Sequence, residues 1–170
     1  MATKAKAKKT EHYTLLRAIY VVFLGLIIAL FIGLGIAAFY ETPKRPEQSS
    51  LAQETNYAKE PTPQAIEAQK AFEKQMKDYE ENKMGPYNRN VAIITIVAAV
   101  IILTIGLLFS LRFMILSDGM LLGGVFTLIY SVIRAAQANN IRFTFIIVAV
   151  ALVVTIALGY WKFLRKPKKK

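Results

Sequence analysis

The chain contains no cysteine and a single histidine, His12, and these two scarcities exclude several kinds of chemistry. Without cysteine there is no disulfide, no thiolate nucleophile and no Cys-bound metal, so the redox compartment cannot be inferred either. An ordinary zinc site needs several converging ligands, which a single histidine cannot supply, and the position of His12 in a basic tail argues against a Ser-His pair. A phosphate-binding loop of the GxxxxGK[ST] type is also missing. We therefore expect no catalytic residue, no metal site and no cofactor, and we predict a protein that is not an enzyme.

Charged residues are missing from four long stretches, which lie at residues 18–40, 90–111, 119–133 and 143–161. The four runs hold 23, 22, 15 and 19 residues. A soluble domain of this size cannot bury four helices that are apolar all round, whereas a bilayer span needs about 20 apolar residues. We predict an all-α integral membrane protein with four transmembrane helices packed as a bundle. One amphipathic extramembrane helix is expected in the loop between spans 1 and 2.

The third run is shorter than a bilayer span, and two interpretations remain for it. It is either a re-entrant hairpin or a full span over residues 118–138, with Arg134 reaching the headgroups from the last turn. In the full span, Ser117 and Asp118 would cap the start of the helix. An even number of spans is favoured, because three spans would put one of the two basic tails on the outer side.

The net charge of +11 is concentrated at the two ends of the chain, next to the first and last spans. Basic residues beside spans mark the cytoplasmic side, so we predict a multi-pass protein of a bacterial plasma membrane with both termini cytoplasmic. The first run is longer than the h-region of a signal peptide, which has about 7–15 residues, and an uncleaved anchor is therefore expected. The predicted segments are a basic cytoplasmic tail (1–17), span 1 (18–40), an extracytoplasmic loop (41–89), span 2 (90–116), span 3 (118–138), span 4 (141–163) and a basic cytoplasmic tail (164–170).

The position of the basic tails also indicates which molecules the chain contacts. Polybasic tails that adjoin spans are typical of contacts with membrane lipids, including anionic headgroups, and we expect no nucleic-acid partner.

The loop at residues 41–89 divides into a proline-containing linker, residues 41–61, and a predicted amphipathic helix, residues 62–84. Thr62 can cap this helix, Pro63 suits its first turn, and Gly85-Pro86 is expected to end it. An apolar stripe follows one face of the helix. The stripe either rests on the bundle or the membrane surface, or it contacts a protein partner or a second copy of the chain. Its members are Phe72, Met76 and Tyr79.

Small residues recur at every fourth position in spans 1 and 3. Because lipid tails are as apolar as leucine, helices in a bilayer associate by close packing, which small residues permit. We therefore expect spans 1 and 3 to lie in the densest contacts of the bundle, although the same ridges could serve a homo-oligomer interface. The ridge residues are Gly25, Ala29, Gly33 and Ala37 in span 1, and Gly119, Gly123, Thr127 and Ser131 in span 3.

Ionisable residues within spans are the usual indicators of function, and the few in this chain lie near the ends of the runs. Arg112 and Asp118 are six residues apart across the predicted turn between spans 2 and 3. This spacing predicts a structural charge pair, in which Asp118 also caps the third span.

These features predict a small multi-pass membrane protein that acts as a non-enzymatic accessory or scaffold component through protein and lipid contacts. The alternative is a small oligomeric transporter or channel, which needs a polar path across the bilayer. The two hypotheses differ on whether Thr127 and Ser131 line a hydrated cavity or pack dry against a neighbouring helix.

Overall fold

Helices account for most of the chain in the computed structural model, which describes residues 2–57, 60–110 and 112–164. Side chains are described for residues 13–55, 57, 60–110 and 112–162. The helices are α1 (Ala2–Phe39), α2 (Ser50–Tyr57), α3 (Pro63–Tyr79), α4 (Gly85–Phe109), α5 (Met114–Ala136) and α6 (Ile141–Gly159). A π-helical turn, Glu80–Met84, joins α3 to α4, and another, Tyr160–Leu164, follows α6.

Within this described part of the chain, four helical stretches are long and apolar enough to cross a membrane. They comprise 27, 47, 23 and 22 residues, and the second combines α3, the first π-helical turn and α4. Helices satisfy every backbone hydrogen bond internally, which hydrocarbon requires of a spanning segment. The chain is therefore a helical, multi-pass membrane protein. The stretches are Tyr13–Phe39, Pro63–Phe109, Met114–Ala136 and Ile141–Lys162.

The third span is the uninterrupted helix α5, and not a hairpin. It starts at Met114, four residues before the expected start at Asp118, and α4 ends at Phe109 rather than at residue 116. Ser117 is consequently inside the first turns of α5. Its hydroxyl donates to the carbonyl of Gly106 on α4 at 2.7 Å instead of capping the helix.

The helix predicted at residues 62–84 does not end at Gly85-Pro86. Thr62 accepts a hydrogen bond from the amide of Ala65, and the helix then continues through the π-helical turn into α4. In a regular α-helix the ring of Pro86 would clash with the carbonyl four residues earlier. The π turn relieves this conflict by shifting the hydrogen-bond register, and the amide of Gly85 donates to the carbonyl of Glu80.

The segment predicted as a linker, residues 41–61, contains the helix α2, whose start is capped by the Ser49 hydroxyl. This helix packs against α3, and Ala52 and Ala65 are fully buried. Gln48 also donates to Gln69 across the contact at 3.1 Å. The stretch is therefore a helical hairpin with α3 rather than a structureless connection.

The two basic tails were predicted as segments separate from the spans. The backbone of residues 2–17 instead belongs to α1, which runs on into the first span without a break. The C-terminal tail at residues 164–170 lies outside the described residues except for Leu164.

The core of the spans lies between α4, α5 and α6. Each of these helices contributes buried side chains, and the polar groups at the contacts bond to backbone carbonyls of the same or a neighbouring helix. Close packing of this kind, rather than escape from water, holds helices together in a bilayer. The buried apolar members are Ala92, Ile96, Ala99, Leu103, Leu128, Ala135 and Ile147.

Helix α1 packs on the other side of α5 through glycines of both helices. A Cβ atom at Gly123 would lie 2.9 Å from Cβ of Ile28 and 3.2 Å from the carbonyl oxygen of Gly25, so only glycine allows this approach. The ridge of small residues on α1 is used over part of its length. Nothing lies within 4 Å of a Cβ placed at Gly33, and Ala37 is exposed.

The two glycines should therefore respond differently to the same substitution. We expect Gly123→Leu to lower the stability of the protein in detergent by about 1–3 kcal/mol, because the added side chain overpacks the α1–α5 contact. Gly33→Leu is the matched control and should leave the thermal midpoint unchanged. Equal midpoints for the two variants would contradict the packing described here.

Candidate functional site

Three charged side chains from three helices meet at one end of the spans. Asp118, in the second turn of α5, accepts a hydrogen bond from Arg17 of α1 at 2.5 Å and one from Lys162 at 2.7 Å. Lys162 lies in the π-helical turn that follows α6. We call these three residues the Asp118 cluster. It ties the start of the first span, the start of α5 and the π-helical turn after α6 to the same end of the molecule.

The Asp118 cluster carries two cations and one carboxylate, so a net charge of +1 remains. The side chains of Arg17, Asp118 and Lys162 retain 37, 25 and 28% of their exposure. Charges near hydrocarbon are expensive unless they are paired, which accounts for the convergence of both cations on one acid. Lysine offers three donors and arginine five, so each cation keeps donors that Asp118 does not occupy.

The sequence prediction paired Asp118 with Arg112, and the structure does not bring these two residues together. Arg112 is exposed in the turn between α4 and α5, outside the Asp118 cluster. The true partners are distant in sequence, but a signal for them exists. In a four-span topology, the last charge before span 1 and the first charge after span 4 fall at the same membrane surface as the start of span 3.

The opposite end of the spans carries a polar cluster that the sequence analysis missed. Arg134 donates to the hydroxyl of Tyr130 at 2.9 Å and to the side-chain oxygen of Asn88 at 3.1 Å. Asn88 is buried and donates in turn to the backbone carbonyl of Gln137 at 3.1 Å. Arg134 was expected to reach the headgroups, and the structure shows it bonded to Asn88 of α4. The signal for this contact is that Asn88 and Arg134 both adjoin span ends on the same predicted side.

Aromatic residues tie α1 to α4 at this same end. Tyr40 stacks on Tyr87 with a ring-centroid distance of 5.1 Å, and Asn90 donates to the hydroxyl of Tyr40 at 2.9 Å. These contacts hold the far end of α1 although its small-residue ridge is open there.

Several hydroxyl side chains of α4 and α5 are buried in the helix contacts. Thr127 and Ser131 are 1 and 0% exposed, and each donates to a backbone carbonyl at 2.8 Å, Thr127 to Gly123 of its own helix and Ser131 to Ala92 of α4. Thr95 is equally buried and bonds within its helix. Over the described residues, every buried side-chain nitrogen or oxygen has a hydrogen-bond partner.

The apolar stripe predicted as a contact surface is partly covered by the chain itself. Tyr79 is buried, and its hydroxyl donates to the carbonyl of Pro43 at 2.7 Å. Met76 lines a polar cavity of about 500 Å³ next to Arg45 and Glu80. Phe72 is half-buried. The stripe therefore packs against residues of its own loop over at least its Tyr79 end.

A metal site requires several ligand side chains to converge. Where the structure describes the side chains, no group of three His, Cys, Asp or Glu residues could hold a metal ion. The side chain of His12 lies outside the described set.

The Asp118 cluster should contribute to stability. We expect Asp118→Asn to lower the thermal midpoint in detergent by about 2–4 °C, which corresponds to about 1 kcal/mol, because two cations lose their shared counter-charge. Partial exposure of the cations keeps the effect small. Arg112→Gln is the control and should leave the midpoint unchanged. A loss of stability in Arg112→Gln alone would instead support the pair predicted from the sequence.

Comparison with known proteins assigns no family or function to this chain. No protein-family model matches the chain, and no curated protein or solved structure matches it either. We therefore infer function from the residues of the chain alone.

Proposed function

We propose that this chain is a non-enzymatic component of a membrane assembly, an accessory subunit or a scaffold, that acts through protein and lipid contacts. Its four spans pack as a bundle around α5. In this proposal the hairpin of α2 and α3 extends from the bundle outside the membrane and presents a surface to other proteins.

The dry packing of Thr127 and Ser131 carries this proposal. A transporter or channel needs polar groups along a hydrated path, and these two hydroxyls are the strongest candidates in the spans. Both are buried and bond to backbone carbonyls, which leaves them no free donor for a passing solute. A scaffold needs only surfaces. The lipid-facing α1 and α6 and the exposed α2 supply them, and Tyr57 of α2 is 88% exposed.

We further propose that the protein lies in a bacterial plasma membrane with both termini in the cytoplasm. The Asp118 cluster supports this orientation, because Arg17 and Lys162 share one carboxylate and the chain must therefore enter and leave the spans at the same end. Eleven of the 22 basic residues lie at residues 1–17 and 162–170, and positive charge beside spans stays in the cytoplasm.

The orientation can be tested directly because the chain has no cysteine. We expect a cysteine introduced by Tyr57→Cys to react with a membrane-impermeant maleimide in intact cells. A cysteine introduced by Ala7→Cys should react only after the membrane is permeabilised. Labelling of the Ala7→Cys variant in intact cells would contradict the proposed orientation.

The proposed role can be tested by site-specific photo-crosslinking in cells, with p-azidophenylalanine in place of a tyrosine. From the exposed Tyr57 we expect crosslinks to one defined protein that also co-purifies in detergent. From the buried Tyr79 we expect crosslinks within the chain, since its hydroxyl contacts Pro43. The two tyrosines are thus a matched pair on neighbouring helices.

Flux through the purified protein would contradict the proposed role. In proteoliposomes we expect no solute or ion flux above that of empty liposomes. A homo-oligomer that conducts, and loses conduction on Thr127→Val or Ser131→Ala, would instead support the transporter or channel.

A further inference from the structure

An apolar groove opens between α1 and α6, with α5 as its floor. It has a volume of about 440 Å³ and faces the lipid side of the spans. Val21 of α1 and Leu158 of α6 form its walls, while Leu121 and Val125 of α5 form its base. Gly159 leaves the groove open, because nothing lies within 4 Å of a Cβ placed there.

The groove runs from a membrane surface into the hydrocarbon. Asp118 and Lys162 line one end of it, and Val125 and Thr155 line the other. These end residues are seven positions apart on each of the two helices, which corresponds to a depth of about 10 Å at 1.5 Å per residue. The charged end thus lies at the level of the headgroups and the apolar end beside the acyl chains.

The charge at the mouth of the groove favours an anion: Lys162 lines the groove, and Arg17 lies beside it because it bonds to Asp118. Arg17 and Lys162 share the single carboxylate of Asp118, and both cations remain part-exposed. Asp118 is the only acidic residue after Glu81, so no further carboxylate of the spans neutralises the surplus charge. A phosphodiester would accept the donors that Asp118 leaves unused, in the way that basic pockets between spans bind anionic headgroups.

We propose that this groove binds an anionic phospholipid from the leaflet next to the basic tails. Its phosphate accepts hydrogen bonds from Lys162 and Arg17, and one acyl chain lies along Leu121, Val125 and Leu158. This proposal names the lipid and the site for the lipid contacts of the proposed function. It rests on the proposed function only in one respect, which is that the protein spans a bilayer.

A second copy of the chain fits this groove less well than a lipid does. A copy packed in parallel would bring its own Arg17 and Lys162, with the lysines of its tails, to the same surface. Its tails contain only one acid, Glu11, against eleven basic residues. Like charges at such a contact are unfavourable, whereas an anionic headgroup is complementary to them.

The single tryptophan of the chain, Trp161, lies next to Lys162 and is a built-in reporter for the groove mouth. The purified full chain is reconstituted in phosphatidylcholine that contains a small fraction of brominated phosphatidylglycerol or of brominated phosphatidylcholine with the same acyl chains. Quenching of tryptophan fluorescence then measures how strongly each lipid is retained. We expect about fivefold more effective quenching by the anionic lipid, as about 1 kcal/mol per basic group at the surface implies.

Substitutions separate the groove from the general attraction of the tails. Gly159→Leu fills the groove while leaving Arg17, Asp118 and Lys162 unsubstituted, and it should lower the preference for the anionic lipid. Gly33→Leu is the matched control, since it adds the same side chain at another open glycine, and should retain the preference. Lys162→Gln should lower the preference as well, and the thermal midpoint checks that this variant is folded.

Retention of the full preference in Gly159→Leu would overturn the proposal, because the tails alone would then recruit the lipid. Equal quenching of the unsubstituted protein by both brominated lipids would also overturn it. So would a homodimer in detergent that Gly159→Leu dissociates, since the groove would then belong to a second copy. These measurements use the purified chain alone, so their failure leaves the crosslinking test of the partner role unaffected.

Discussion

Close approach of helix backbones to α5 is the constraint on which the rest of the structure depends. Gly119 and Gly123 face α1, and Gly124 faces Leu103 of α4, so α5 presents small residues on two sides. In a bilayer there is no escape from water to drive helices together, and contact therefore depends on surfaces that fit closely. With a larger residue at Gly123, α1 would have to move outward, and the grooves beside α5 would change shape with it.

The charged side chains at the two ends of the spans are stabilised by different kinds of partner. At one end, Asp118 is shared by two cations and a positive charge remains. At the other, Arg134 is held by neutral groups, the hydroxyl of Tyr130 and the amide oxygen of Asn88. The first arrangement leaves an anion-attracting surface between helices. The second holds its cation with neutral acceptors and links α4 to α5.

The burial of the hydroxyl side chains and the open groove both follow from the tight packing of α4 against α5. Because α4 and α5 pack tightly along their small residues, Thr127 and Ser131 are buried and bond to carbonyls. The more peripheral α1 and α6 are correspondingly exposed, and an apolar groove lies between them. In the described residues, the buried hydroxyls of α4 and α5 are thus bonded within the helix contacts, and the exposed apolar side chains lie on α1 and α6.

The sequence by itself determined that the chain is helical and crosses the membrane several times, because four charge-free runs admit no other way to satisfy their backbones in lipid. It also indicated the small residues at Gly25 and Gly123, since close packing requires them wherever helices cross. Only the tertiary structure decided which of the small residues are used, because Gly123 meets α1 closely whereas nothing lies within 4 Å of a Cβ placed at Gly33. The partners of Asp118 were likewise decided in three dimensions, since they lie 101 and 44 positions away in the sequence, whereas the nearby Arg112 is exposed in the turn between α4 and α5. Local sequence signals also predicted a helix end at Gly85-Pro86, whereas a π-helical turn at Glu80–Met84 lets the helix continue through this proline.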